Sequence, residues 1–120
     1  MNPIGIKGEQ YAVSFLERKG YRVTERNFRK HYGEIDIISV QDHTLVFVEV
    51  KTRTSTKFGT GIEAISYFKL RSLIKTAMLY KKIHPQLPDA LRIDAISVLL
   101  SKNGDLLDID HRENIAEVCE

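Results

Sequence analysis

An α/β (α+β) fold, one mixed β-sheet flanked by helices, is predicted by three features of the sequence. Two segments space their apolar residues as helices do, 7–19 and 62–82. Between and after them lie runs rich in β-branched residues. The resulting order, α, β, β, β, α, β, β, suits a single mixed sheet. No repeat or linker composition interrupts the chain, and 120 residues suit one domain with its own core.

In the helix over 7–19, Ala12, Val13 and Leu16 share a face with Phe15 at its edge. Arg18 and Lys19 fill the last turn and Gly20 follows as a C-terminal cap. Residues 21–28 read as a short strand. Residues 34–40 and 45–53 are the clearest strands, separated by a turn over 41–44. Residues 54–61, with Thr, Ser, Lys and two glycines, read as a loop. The helix over 62–82 lines up Ile62, Ser66, Leu70, Leu73 and Ala77, and Pro85 and Pro88 end it. Residues 91–100 form a buried strand, and 105–110 a short edge strand after the Asn103-Gly104 turn.

Composition narrows the function classes. The lone cysteine, Cys119, makes no internal disulfide, so a reducing cytoplasm is expected. No apolar run approaches the ~20 residues that cross a bilayer, and residues 1–8 lack the apolar core of a secretory signal. No membrane partner is expected. Residues 1–82 hold 15 Lys and Arg against 8 Asp and Glu, whereas 83–120 hold 3 against 8. A basic region enclosing a few clustered acids fits a nucleic-acid surface around a metal site, although a solvated surface shows such asymmetry too.

The acids cluster through strand geometry. Side chains alternate between faces, so Glu49 and Lys51 point the same way as Leu45 and Phe47, and Val46, Val48, Val50 and Thr52 point into the core. On 34–40, Glu34, Asp36 and Ile38 share one face, and Ile35 and Ile37 the other. Turns of two or four residues both give pairs whose numbers sum to 85. Asp36 then opposes Glu49, and Glu34 opposes Lys51. Opposed carboxylates with Cβ atoms ~5 Å apart destabilise a sheet unless a cation lies between them. Glu9 lies in line with the apolar stripe of its helix.

Each acid has an ordinary reading. Glu9 suits a first helical turn, Asp36 a half-buried strand, and Glu49 with Lys51 a surface ion pair worth ~0–1 kcal/mol. The joint pattern is more specific. Phosphodiester hydrolysis needs an activated water and relief of charge, which divalent metal ions supply. Asp36 and Glu49 would hold Mg²⁺ or Mn²⁺, with the Val50 carbonyl as a further ligand. Lys51 would orient or deprotonate the water, and Glu9 would bind metal directly or through water.

The stretches Gly8-Glu9-Gln10-Tyr11-Ala12, Arg26-Asn27-Phe28-Arg29, residues 33–38 and residues 46–53 together resemble the YraN-type family of bacterial proteins. Phe58-Gly59, Glu63-Ala64 and Arg92-Ile93-Asp94 also fit, so the resemblance runs from about residue 5 to 115. That family is similar to restriction-endonuclease-like enzymes and Holliday-junction resolvases. The resemblance implies an αβββαβ core, a Mg²⁺ or Mn²⁺ requirement, a DNA substrate and a site at Glu9, Asp36, Glu49 and Lys51. One departure is Ile65-Ser66-Tyr67-Phe68 ahead of Lys69, where a more polar run is implied. The roles of Lys69 and Glu34 stay open.

The expected function is metal-dependent endonuclease action on branched or structured DNA. A non-catalytic nucleic-acid-binding or adaptor module on the same fold is the competing class, and an RNA-directed nuclease a third. Arg26, Arg29, Lys30, Arg53 and Lys57 surround the hairpin and are the expected phosphate contacts. The absence of tryptophan gives little sign of a base-stacking platform. Cutting both strands would call for a homodimer.

Overall fold

The computed structural model of the chain describes residues 2–54, 62 and 65–116. Its elements are α1 (Pro3–Arg18), β1 (Arg22–Lys30), β2 (Gly33–Gln41), β3 (Thr44–Arg53), α2 (Tyr67–Ile83), β4 (Ala90–Leu100) and β5 (Leu106–Ala116). The five strands make one mixed sheet in the order β1-β2-β3-β4-β5. Only β3 and β4 run parallel, from Thr44↔Ala90 to Arg53↔Leu99. A parallel pair needs a crossover, and α2 belongs to it.

The helices cover opposite faces. Ala12 and Leu16 of α1 pack with Ile37, Val46, Val48, Ile96 and Val98. Leu73, Ala77 and Tyr80 of α2 pack with Phe28, Ile35, Ile38, Leu45 and Phe47. Among the described residues, no helix is long and apolar enough to cross a membrane.

Several boundaries differ from the sequence reading. α1 starts at Pro3, because the Asn2 side chain accepts the Ile4 N–H and proline suits the first turn. Glu9 therefore lies well inside the helix and caps nothing. At the other end Gly20 adopts φ 90°, and the Tyr21 N–H closes on Leu16 O at 3.0 Å. α2 starts at Tyr67, not 62, because the Ser66 hydroxyl accepts the Lys69 N–H at 3.1 Å. β5 extends to Ala116, well past the predicted 110, held against β4 as far as Ile93↔Ala116.

The β2–β3 hairpin has the predicted register, from Gln41↔Thr44 to Ile37↔Val48, around a two-residue turn with Asp42 at φ 53°. The predicted facing in β2 is overturned. Ile35 packs beneath α2 while Ile37 packs beneath α1, so they do not share a face. Strand β1 turns over with it: Arg26, paired with Ile37, reaches toward α1, whereas Phe28, paired with Ile35, lies beneath α2. Residues two apart ordinarily share a face. The cause is Asn27, which sits between them at φ 54°. A left-handed residue inserts a half-turn that asparagine accepts more readily than most side chains.

Candidate functional site

The turnover brings Asp36 out on the α1 side, away from Ile38, with which it was expected to share a face. There it lines an open cleft of about 610 Å³, together with Glu9, Asn27, Arg29, Glu34, Val50 and the first turn of α1. The hydrogen-bonded pairing of β2 and β3 is recorded up to Ile37↔Val48. Beyond it, the Asp36 carboxylate accepts the Val50 N–H at 2.8 Å, in place of a main-chain acceptor from β2.

Glu49 belongs to the α2-facing series of β3 and is only 4% exposed. The expectation that Asp36 and Glu49 share a face is thereby overturned, yet Glu49 reaches Asp36 where the strands part, close enough for a carboxyl–carboxyl hydrogen bond. Burial, then this hydrogen bond and the charge of Glu49, push the Asp36 carboxyl up to about 8, against the opposing pull of the Val50 N–H. On its other side Glu49 meets two ammonium groups, Lys69 at 3.5 Å and Lys51 at 3.9 Å.

Glu9 is 8% exposed and belongs to the same centre, since its charge adds to the push on Asp36. Its visible partner is Arg26, at 3.4 Å. Gly8 permits this approach: a Cβ there would overlap the side chain of Thr52, so only glycine lets α1 settle onto β3 at this point.

The four predicted site residues thus converge from both sides of the sheet onto the place where β2 and β3 diverge. Glu34 does not join Lys51. Its partner is Arg29, at 2.5 Å, directly across β1–β2, because the Glu34–Lys51 opposition lies beyond the recorded ladder. Of the expected phosphate contacts, Arg26 and Arg29 are engaged by Glu9 and Glu34, Lys30 is exposed and Arg53 half-buried. Lys57 lies outside the described residues, as do Phe58-Gly59 and Glu63-Ala64 of the resemblance.

Sequence reasoning missed Gly8 and Asn27 as shapers of the centre and left Lys69 open. An asparagine inside a strand-like run was the available signal for Asn27. Nothing local marked Gly8 or Lys69, whose partners lie on other elements.

The donors at the centre are carboxylate and carbonyl oxygens, the set that hard divalent cations prefer. Among the described residues no three acidic, histidine or cysteine side chains form a ready-made metal cage. Mg²⁺ commonly uses one or two carboxylates with water completing its sphere. Asp36 and Glu49 offer two such carboxylates, and Glu9 would join once Arg26 released it.

The profile described as "Uncharacterised protein family UPF0102" matches residues 8–98. A UPF0102 protein of Geobacter metallireducens is 44% identical over 116 residues, 97% of this chain and 93% of its own length. That of Syntrophomonas wolfei is 43% identical over 97 residues, covering 81% and 84%. That of Dictyoglomus turgidum is 39% identical over 111 residues, covering 92% and 94%. With the matched span enclosing Glu9, Asp36, Glu49 and Lys51, the chain belongs to the UPF0102 family.

Proposed function

We propose that this protein is a metal-dependent DNA endonuclease that hydrolyses phosphodiester bonds on branched or structured DNA. The observation that carries the reading is the close Asp36–Glu49 carboxyl pair, with Lys51 and Lys69 beside Glu49 and an open cleft in front of Asp36. A purely structural role gives no reason to crowd two carboxylates where a strand pair opens.

Asp36 and Glu49 would hold the divalent ion in this reading, with Glu9 and the Val50 carbonyl as further ligands. Mg²⁺ or Mn²⁺ held there would supply Lewis acidity. Lys51, on the same side of β3 as Glu49, orients the attacking water or offsets negative charge developing on the phosphate. Lys69 holds Glu49 in place from α2. Arg26, Arg29, Lys30 and Arg53 receive backbone phosphates, Arg26 and Arg29 by exchanging a carboxylate for a phosphate oxygen. One such centre cuts one strand, and a homodimer supplies the second.

The test incubates the purified protein with linear, single-stranded, flapped and four-way DNA in Mg²⁺ or Mn²⁺. Metal-dependent cleavage is expected from the wild type and not from Glu49→Ala or Lys51→Ala. Binding without cleavage by all three would favour the adaptor module instead.

A further inference from the structure

Helix α2 turns Leu70, Leu73, Ala77 and Tyr80 to the sheet. Away from that face its first turn holds two rings in open solvent: Tyr67 is 68% and Phe68 81% exposed, meeting edge to face with centres 5.7 Å apart. They close the run Ile65-Ser66-Tyr67-Phe68, which is less polar than the resemblance implies. A third ring, Tyr32 in the β1–β2 turn, is 53% exposed. It is fastened to the same helix, since its carbonyl accepts the Ser72 hydroxyl and Lys75 Nζ lies 5.8 Å from its ring centre. Phe68, Ser72 and Lys75 follow helical spacing, so Tyr32 flanks the face that begins with Phe68.

The same turn of α2 also touches the acidic centre, since Lys69, which follows Phe68 in the sequence, reaches Glu49. The rings are set among cations. α2 carries Lys69, Arg71, Lys75, Lys81 and Lys82, and no acid. A second copy docked here by two-fold symmetry would oppose like charges, whereas a phosphate backbone complements them.

We infer that Tyr67, Phe68 and Tyr32 form a ledge on which unpaired nucleobases stack, so that the substrate is nucleic acid with a single-stranded stretch that reaches α2. The inference rests on the nuclease reading for its partner, but needs neither metal nor cleavage. Stacking tolerates any base, because each has a π-face, and paired bases inside a duplex keep theirs covered. The chain has no tryptophan, yet an exposed tyrosine–phenylalanine pair serves the same purpose.

Phe68→Trp places a single tryptophan in the chain. Its fluorescence is titrated in EDTA with a thymidine oligonucleotide and with a closed duplex carrying the same number of phosphates. Saturable quenching by the single strand and little by the duplex is expected. Tyr67→Ala/Phe68→Ala should weaken single-strand binding about tenfold or more, with duplex binding and Tm unchanged. Equal quenching by both nucleic acids, or single-strand affinity untouched by the double substitution, would overturn the inference. So would a tryptophan shift driven only by protein concentration, marking a second copy, or only by anionic vesicles, marking a membrane surface. Quenching without cleavage of any DNA defeats the catalytic reading alone, and cleavage that ignores the rings defeats the ledge alone.

Discussion

Asp36 is the residue on which the centre turns. Its carboxyl is buried, hydrogen-bonded to Glu49 and raised to about 8, so the folded state favours its neutral form. A group whose pKa rises on folding contributes stability at low pH. Here that contribution is full below about 4 and lost as the pH climbs to about 8. Asp36→Asn keeps an acceptor for the Val50 N–H and removes the ionisable group. The metal-free variant is therefore expected to melt above the wild type at pH 8, by at least a few degrees, with the gap closing toward pH 4. Mn²⁺ should raise the wild-type Tm with the logarithm of its concentration and leave the variant unmoved. Thermal melts across pH and metal concentration measure both, and a wild type unmoved by Mn²⁺ would remove the metal from the picture. The two acids were legible as candidates from their type and from the hairpin register, which carries them to neighbouring positions. How they meet was not, because alternation on β2 assumes an unbroken pleat.

The break in that pleat belongs to the strand pair. Asn27 at φ 54° turns β1 over, β2 turns over against it, and Asp36 emerges toward α1. Asn27→Gly should leave stability and the Mn²⁺ response nearly intact. Asn27→Val, a branched residue in a left-handed conformation, should cost ~1–2 kcal/mol and weaken the Mn²⁺ response by displacing Asp36. Equal melting and equal Mn²⁺ shifts in the two variants would show that the conformation does not set the acid. The hairpin register was readable because a two-residue turn fixes it. The α2 start was not, because the apolar spacing continues through Ile62 and Ser66 while the Ser66 cap sets the first turn. Lys69 and Gly8 act on partners brought near only by packing, which no local pattern encodes.

At the scale of the molecule, a second polar assembly ties the far side of the sheet together. Asp94 is fully buried. It receives Arg92 through two hydrogen bonds of 2.9 Å, His111 Nε2 at 2.8 Å and the Asn114 N–H at 2.9 Å. Arg92 also donates to the Tyr21 hydroxyl at 2.6 Å, and Lys19 Nζ donates to His111 Nδ1 at 2.8 Å. The end of α1, the start of β1, β4 and β5 thus meet at one carboxylate. Burial pushes Asp94 up, but the hydrogen bonds from His111, Arg92 and Asn114 outweigh it and hold the group below its ordinary value. With the folded value depressed, the stabilisation is present above the unfolded value and lost as pH falls through the folded one. Asp94→Asn leaves Arg92 only the half-exposed Glu113 as its anion, at 3.2 Å, and should cost ~3 kcal/mol at neutral pH. Its stability should also decline less steeply below about pH 4. Denaturant melts from pH 7 to 2 would show two parallel curves if Asp94 carried no such linkage.

The parallel pairing of β3 with β4 has a kinetic corollary. Asp36 and Glu49 meet through a hairpin closed by two residues, a contact that forms on the microsecond scale of local structure. Lys69 reaches Glu49 only when α2 docks, and that docking accompanies closure of the long crossover to β4, the slower, non-local event. Asp36 and Glu49 are therefore expected to meet before the ammonium from α2 that restrains Glu49 arrives. In the interval the hairpin carries two crowded carboxylates with Lys51 as the only cation from its own strand beside Glu49, the moment in folding at which a divalent ion would find its strongest reason to bind.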